Sequence, residues 1–241
     1  MLKKLDWKKI TWTILFVSLV LSIVFIVTRM IMAPSELKAM EEHAKVKTDY
    51  VLMLLQCTSG LLIMMLPTLI ERKISIDIPD SIEVIFYVFL FCAIYLGEVR
   101  NFYYLVPYWD TILHAFSGMM LGALGFILVR FLNESKHIHI QLTPFFVAFF
   151  AFCFAVTMGT LWEIYEFIAD GLFSTNMQKF IASDFKVLIG REALSDTMSD
   201  LIVDTVSSLA VSFYGYICLK RWRKMGIYKW EDEKNHETKD S

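Results

Sequence analysis

Most of the usual marks of a soluble catalyst are missing from these 241 residues. There is no Gly-rich phosphate loop, no Ser-x-x-Lys pair and no serine nucleophile elbow, which removes the sequence signatures of phosphate-loop chemistry and of the common acyl-enzyme mechanisms. The four cysteines, Cys57, Cys92, Cys153 and Cys218, form no CxxC pair and lie inside apolar runs, so they read as small buried hydrophobes. The formal net charge is -2 and no basic stripe offsets it, which excludes the electrostatic footprint of a nucleic-acid partner. Period-two alternation of the barrel type and internal repeats are absent as well.

What the chain has instead is apolar length. It is 56% hydrophobic, with 20 Phe. Runs at Ile10 to Met32, Val51 to Ile70, Ile82 to Gly97, Trp109 to Leu132, Pro144 to Ile168 and Leu201 to Trp222 approach or exceed the roughly 20 residues that cross a bilayer. Lipid offers the backbone no hydrogen-bond partners, so these spans must be helices. The expected fold is all-α, a polytopic membrane bundle of about six transmembrane helices in contact with lipid. Residues 1–229 form one transmembrane domain on this reading, and 230–241, polar and mixed in charge, form a disordered cytoplasmic tail. The lysines at 3, 4, 8 and 9 resemble a signal-peptide n-region. The apolar run behind them is too long for one, and no small-residue cleavage site follows at Met32-Ala33-Pro34, so the first span is read as retained.

Positive charge sets the orientation. The N-terminal lysines, Arg72-Lys73, Arg130 with Lys136, and Lys220, Arg221, Arg223 and Lys224 alternate as one side of the membrane would, and that side is cytoplasmic. A multi-pass protein of the cell membrane with both termini inside follows. The His137-x-His139 pair falls in a cytoplasmic loop among polar neighbours and reads as a solvated loop.

Acidic residues and one histidine interrupt the apolar runs at matching depth. Counting about 1.5 Å per residue from each cytoplasmic end puts Glu98 at roughly 26 Å, His114 at roughly 24 Å, Glu163 at roughly 28 Å and Asp204 at roughly 24 Å. Asp110 and His114 are four apart, Glu163 and Glu166 three apart, and Asp196, Asp200 and Asp204 step by four, so each set shares a helix face. Ionisable groups at membrane depth are expensive, and several at one level indicate a site. Crowded carboxylates need a cation or protons to neutralise them, and carboxylates with one imidazole suit Mg²⁺, Mn²⁺, Fe²⁺ or Zn²⁺. The Glu-x-x-His pattern of di-iron bundles is absent, because Thr111 stands three before His114. Interfacial charges near water are the competing reading, with most weight at Asp110, Glu166 and Asp196. Below His114, the small residues Ser117, Gly118, Gly122 and Gly125 allow close helix approach, and Thr157-Met158-Gly159-Thr160 does the same before Glu163. Trp109, Trp162, Tyr103, Tyr104 and Tyr108 read as an interfacial aromatic belt.

The segments Tyr108-Trp109-Asp110-Thr111-Ile112-Leu113-His114, Gly159-Thr160-Leu161-Trp162-Glu163-Ile164-Tyr165-Glu166 and Asp196-Thr197-Met198-Ser199-Asp200-Leu201-Ile202-Val203-Asp204 resemble the YjdF-like family of uncharacterised bacterial membrane proteins, over roughly Glu98 to Ser212. More distantly, the order Asp110 and His114, Gly159 and Glu163, then Arg191, Asp200 and Asp204 is similar to the VanZ-like group linked to glycopeptide tolerance, with Asp204 where that pattern more often has Asn.

From these residues the leading expectation is a metal-dependent membrane hydrolase acting at the outer face on a lipid-linked or cell-envelope substrate. His114, Glu163, Asp200 and Asp204 hold the ion, and Asp110 or Glu166 orients the histidine or accepts a proton. Arg191 and Arg100 receive an anionic head group, with Glu98 and Asp196 also lining the substrate side. Two other classes stay open: a cation- or proton-coupled transporter or sensor using the same acids, and a non-catalytic protein that binds an envelope precursor.

Overall fold

The computed structural model describes residues 5–32, 47–74, 78–134, 142–182 and 186–225. The expected tail 230–241, the His137 and His139 pair, and Lys3, Lys4 and Lys136 lie outside the described residues. Six helical stretches are long and apolar enough to cross a membrane, as expected. The described residues contain helix and no named strand, apart from an isolated bridge between Ile181 and Val187.

Helix α1 spans Trp7–Met32, and α2, Lys47–Ile63, leads through a short turn into α3, Leu66–Ile74. Pro67 explains that break, since a residue without N–H is tolerated in the first turn of a helix and not in its interior. Helix α4, Asp80–Leu90, continues as a π-helical stretch over Phe91–Val99, closed by the amide of Arg100 on the carbonyl of Tyr95 at 2.9 Å. The α-helical rise used to place Glu98 at roughly 26 Å does not apply across these nine residues. Asn101, with φ of 65°, turns the chain into the short α5, Phe102–Leu105. Three long helices follow: α6 Trp109–Glu134, α7 Pro144–Phe173 and α8 Arg191–Lys224. The last begins ten residues before the apolar run that marks it in the sequence, so Asp196, Asp200 and Asp204 are all helical.

The chain divides into two compact units, Met1–Leu113 with Tyr165–Asp196, and His114–Ile164 with Thr197–Ser241. In the first unit, α1 buries Leu15, Leu19, Ser22 and Ile26 along one stripe while Ile14, Val17, Leu21 and Val24 stay exposed. That stripe packs with Met53, Cys57, Met64, Tyr87, Leu90 and Ile94 into one apolar core. Glu83 is buried inside this unit, accepting from the Tyr87 hydroxyl at 2.9 Å and paired with Lys8, which also lies 3.4 Å from Asp80.

In the second unit, α6 meets α8 along small residues. A Cβ added at Gly118 would stand 3.0 Å from the backbone oxygen of Asp204 and would strike the Ser207 hydroxyl, so only glycine lets the two helices approach this closely. Ala151 and Ala155 of α7 are buried within the same unit, whereas Phe145, Phe149, Ile202, Val206 and Phe213 are exposed as lipid-facing residues would be.

Candidate metal centre

The second unit collects one imidazole and three carboxylates. His114 sits on α6, Glu163 on α7, and Asp200 and Asp204 one turn apart on α8, and all four are buried. The spacing of four puts both aspartates on one face of α8, and Ser208 and Ser212 prolong that buried face.

The two nitrogens of His114 have different company. Nδ1 lies 3.2 Å from Oδ2 of Asp204, a hydrogen-bond distance. Nε2 faces Oε1 of Glu163 at 3.9 Å and Oδ2 of Asp200 at 3.8 Å. These separations exceed a hydrogen bond and suit two ligands of one ion, since bonds of about 2.0 to 2.2 Å leave neighbouring donors roughly 3 to 4 Å apart. The donor set, imidazole with carboxylate, fits a hard or borderline divalent cation.

Asp204 is held from several sides. The Ser117 hydroxyl lies 3.3 Å from its Oδ1 and 2.9 Å from the carbonyl of His114. Its own carbonyl accepts from the hydroxyls of Ser208 and, at 3.2 Å, Ser207. Across from it, a Cβ at Gly159 would stand 2.5 Å from Oδ2, so the absence of a side chain there makes room for the carboxylate. Three carboxylates withdrawn from water around one imidazole cannot all remain charged without added positive charge, whether protons or a cation.

The other expected site residues belong to the first unit. Asp110, on α6, and Glu166, buried on α7, both act electrostatically on Lys179. Glu98 lies in the π-helical stretch and its charge is felt by Tyr103 and Tyr104. Arg100, which ends that stretch, and Arg191, the first residue of α8, are exposed, and Asp196 is half-buried. Within the first unit, the sequence reading overlooked Lys179 and Glu83. Glu83 carried the same signal as the others, an acid inside an apolar run, whereas Lys179 is an isolated lysine in a connection and carried none.

A family model described as "Predicted membrane protein (DUF2238)" matches residues 13–221. An uncharacterized protein of Thermotoga maritima is 25% identical over 164 residues, which is 68% of this chain and 74% of that protein. No solved structure matches the chain.

Proposed function

The chain belongs to the DUF2238 family of predicted membrane proteins, and from that premise we propose that it is a multi-pass membrane protein with a divalent-metal centre, acting as a hydrolase on a lipid-linked or cell-envelope substrate. The observation that carries the reading is the division of labour on His114, whose Nδ1 meets Asp204 while Nε2 faces Glu163 and Asp200. A carboxylate on the far nitrogen orients a metal-binding histidine and raises its basicity. His114, Glu163 and Asp200 are the residues that would hold the ion; Asp204, a fourth ligand on the sequence reading, would instead fix the ring from Nδ1, with Ser117 steadying Asp204. When bound, such an ion polarises a substrate oxygen and acidifies water. Asp110 and Glu166 are assigned to proton handling, and Arg100, Arg191, Glu98 and Asp196 to the polar part of the substrate, with the centre on the outer side of the membrane and both termini inside. The three ordered motifs support a place beside the YjdF-like proteins and, further off, the VanZ-like group.

A second reading, coupled movement of protons or cations, is favoured by one observation: the buried face of α8 continues from Asp200 and Asp204 to Ser208 and Ser212. The experiment that separates the two is phenotypic rescue with His114→Ala and Glu163→Gln, beside Ser212→Ala. Hydrolysis predicts loss of function in the first two and retention in Ser212→Ala, with membrane insertion unchanged in all three. A transport path predicts loss in Ser212→Ala as well, and retained function in His114→Ala and Glu163→Gln overturns both.

A further inference from the structure

Left-handed backbone outside glycine gathers in two connections. Among the described residues, the non-glycine positions with positive φ are Asn101 at 65°, Tyr108 at 60°, Ser174 at 52° and Lys179 at 49°. Asn101 and Tyr108 flank α5, and Ser174 and Lys179 lie between α7 and α8. Asparagine takes this conformation readily, but tyrosine, serine and lysine take it at a cost that persists only where surrounding contacts impose it. Such strain clusters at clamps and switches.

The contacts that impose it here run from one connection to the other. Tyr103 stands between them: a Cβ added at Gly97 would lie 2.5 Å from its ring, and the Lys179 ammonium lies 4.6 Å from the ring centre. The Asn176 side chain donates to the Tyr104 hydroxyl at 3.0 Å and to Ile181 O at 2.7 Å, and accepts from the Ile181 amide at 2.9 Å. Asp170 holds the second connection in shape, accepting from the Met177 amide at 2.8 Å and the Gln178 amide at 3.0 Å. Gly97 itself belongs to the π-helical stretch that the Arg100 amide closes on Tyr95 O at 2.9 Å. All of these residues belong to the first unit.

We propose that residues 97–108 and 174–182 open and close as one strap, with Tyr103 as its pin, so that a change in either connection is felt in the other. Glu98 and Arg100 lie within the first part of the strap, and its closed state fixes their backbone. A group that binds them better when the strap is closed therefore slows opening at 174–182 by the same factor. Only the use of Glu98 and Arg100 for substrate rests on the hydrolase reading; the coupling does not.

Site-resolved hydrogen exchange of the full chain in lipid nanodiscs tests the coupling without any assay of activity, because local opening sets the rate. Asn176→Ala and Lys179→Met alter one connection, and each is expected to speed exchange at least about fivefold at the Arg100 amide in the other. Gly97→Ala, whose methyl strikes the Tyr103 ring, and Tyr103→Leu, which removes that ring, are expected to do the same at the Met177 and Gln178 amides. Tyr103→Phe keeps the ring and is expected to leave both places slow. The amides of Leu15 and Leu19 in α1 keep their wild-type rates throughout. Faster exchange confined to the altered connection, or faster exchange that extends equally to α1, overturns the proposal.

Discussion

Nδ1 of His114 and Oδ2 of Asp204 stand 3.2 Å apart, and this contact turns the opposite nitrogen toward Glu163 and Asp200. In the proposed centre Asp204 would therefore act through the histidine. Asp204→Asn retains an oxygen to accept the Nδ1 proton but loses the charge, and is expected to weaken divalent-metal affinity about 10- to 100-fold while leaving the number of sites unchanged. Calorimetric titration of the purified protein checks it, and an affinity equal to wild type would remove Asp204 from this role.

Gly159→Ala brings a methyl to 2.5 Å from that same Oδ2. The carboxylate has to swing away from His114, so the expected phenotype copies Asp204→Asn. Gly118→Ala behaves differently. Its new methyl meets backbone of α8, and the expected effect is a loss of stability of about 1 to 3 kcal/mol from overpacking. Thermal unfolding in detergent beside metal titration separates the two: affinity moves first for Gly159→Ala, stability first for Gly118→Ala.

The Lys8 to Glu83 pair gives a prediction independent of the centre. Glu83 is fully buried while Lys8 is partly solvated, so removing the lysine leaves a buried carboxylate without its counter-charge. Lys8→Ala is expected to destabilise by about 3 kcal/mol. Adding Glu83→Gln, which keeps a partner for Tyr87, should recover most of the loss. A double variant as unstable as Lys8→Ala alone would show that the charge is not the cause.

The proposed orientation rests on the lysine and arginine bias and predicts that a thiol at Lys186 reacts with an impermeant reagent in intact cells while one at Lys224 reacts only after lysis. The reverse pattern places the α7–α8 connection in the cytoplasm.

The gathering of His114, Glu163, Asp200 and Asp204 in the second unit was legible because charge in an apolar run is expensive and because the α-helix keeps steps of three and four on one face, which holds through Asp200 and Asp204 on α8. The depth of Glu98 was not legible. Hydropathy does not record a change from i−4 to i−5 bonding, so the π-helical stretch before Arg100 leaves no trace in composition. The break at Pro67 was written in the sequence, but the apolar residues on both sides of it hide it from a window average. Lys179 depends on a left-handed backbone in a connection and on partners distant in sequence, Tyr103 and Asp110, which no local pattern brings together.

Metal content tests the central claim most directly. The full chain, purified after growth with Mg²⁺, Mn²⁺, Fe²⁺ and Zn²⁺ available, is analysed by elemental mass spectrometry beside the double variant Glu163→Ala, Asp200→Ala. The account predicts about one divalent ion per chain in the wild type and none above background in the variant, with both proteins inserted in the membrane alike. Equal metal in the two, or a wild type that stays empty after loading with each ion in turn, would contradict it.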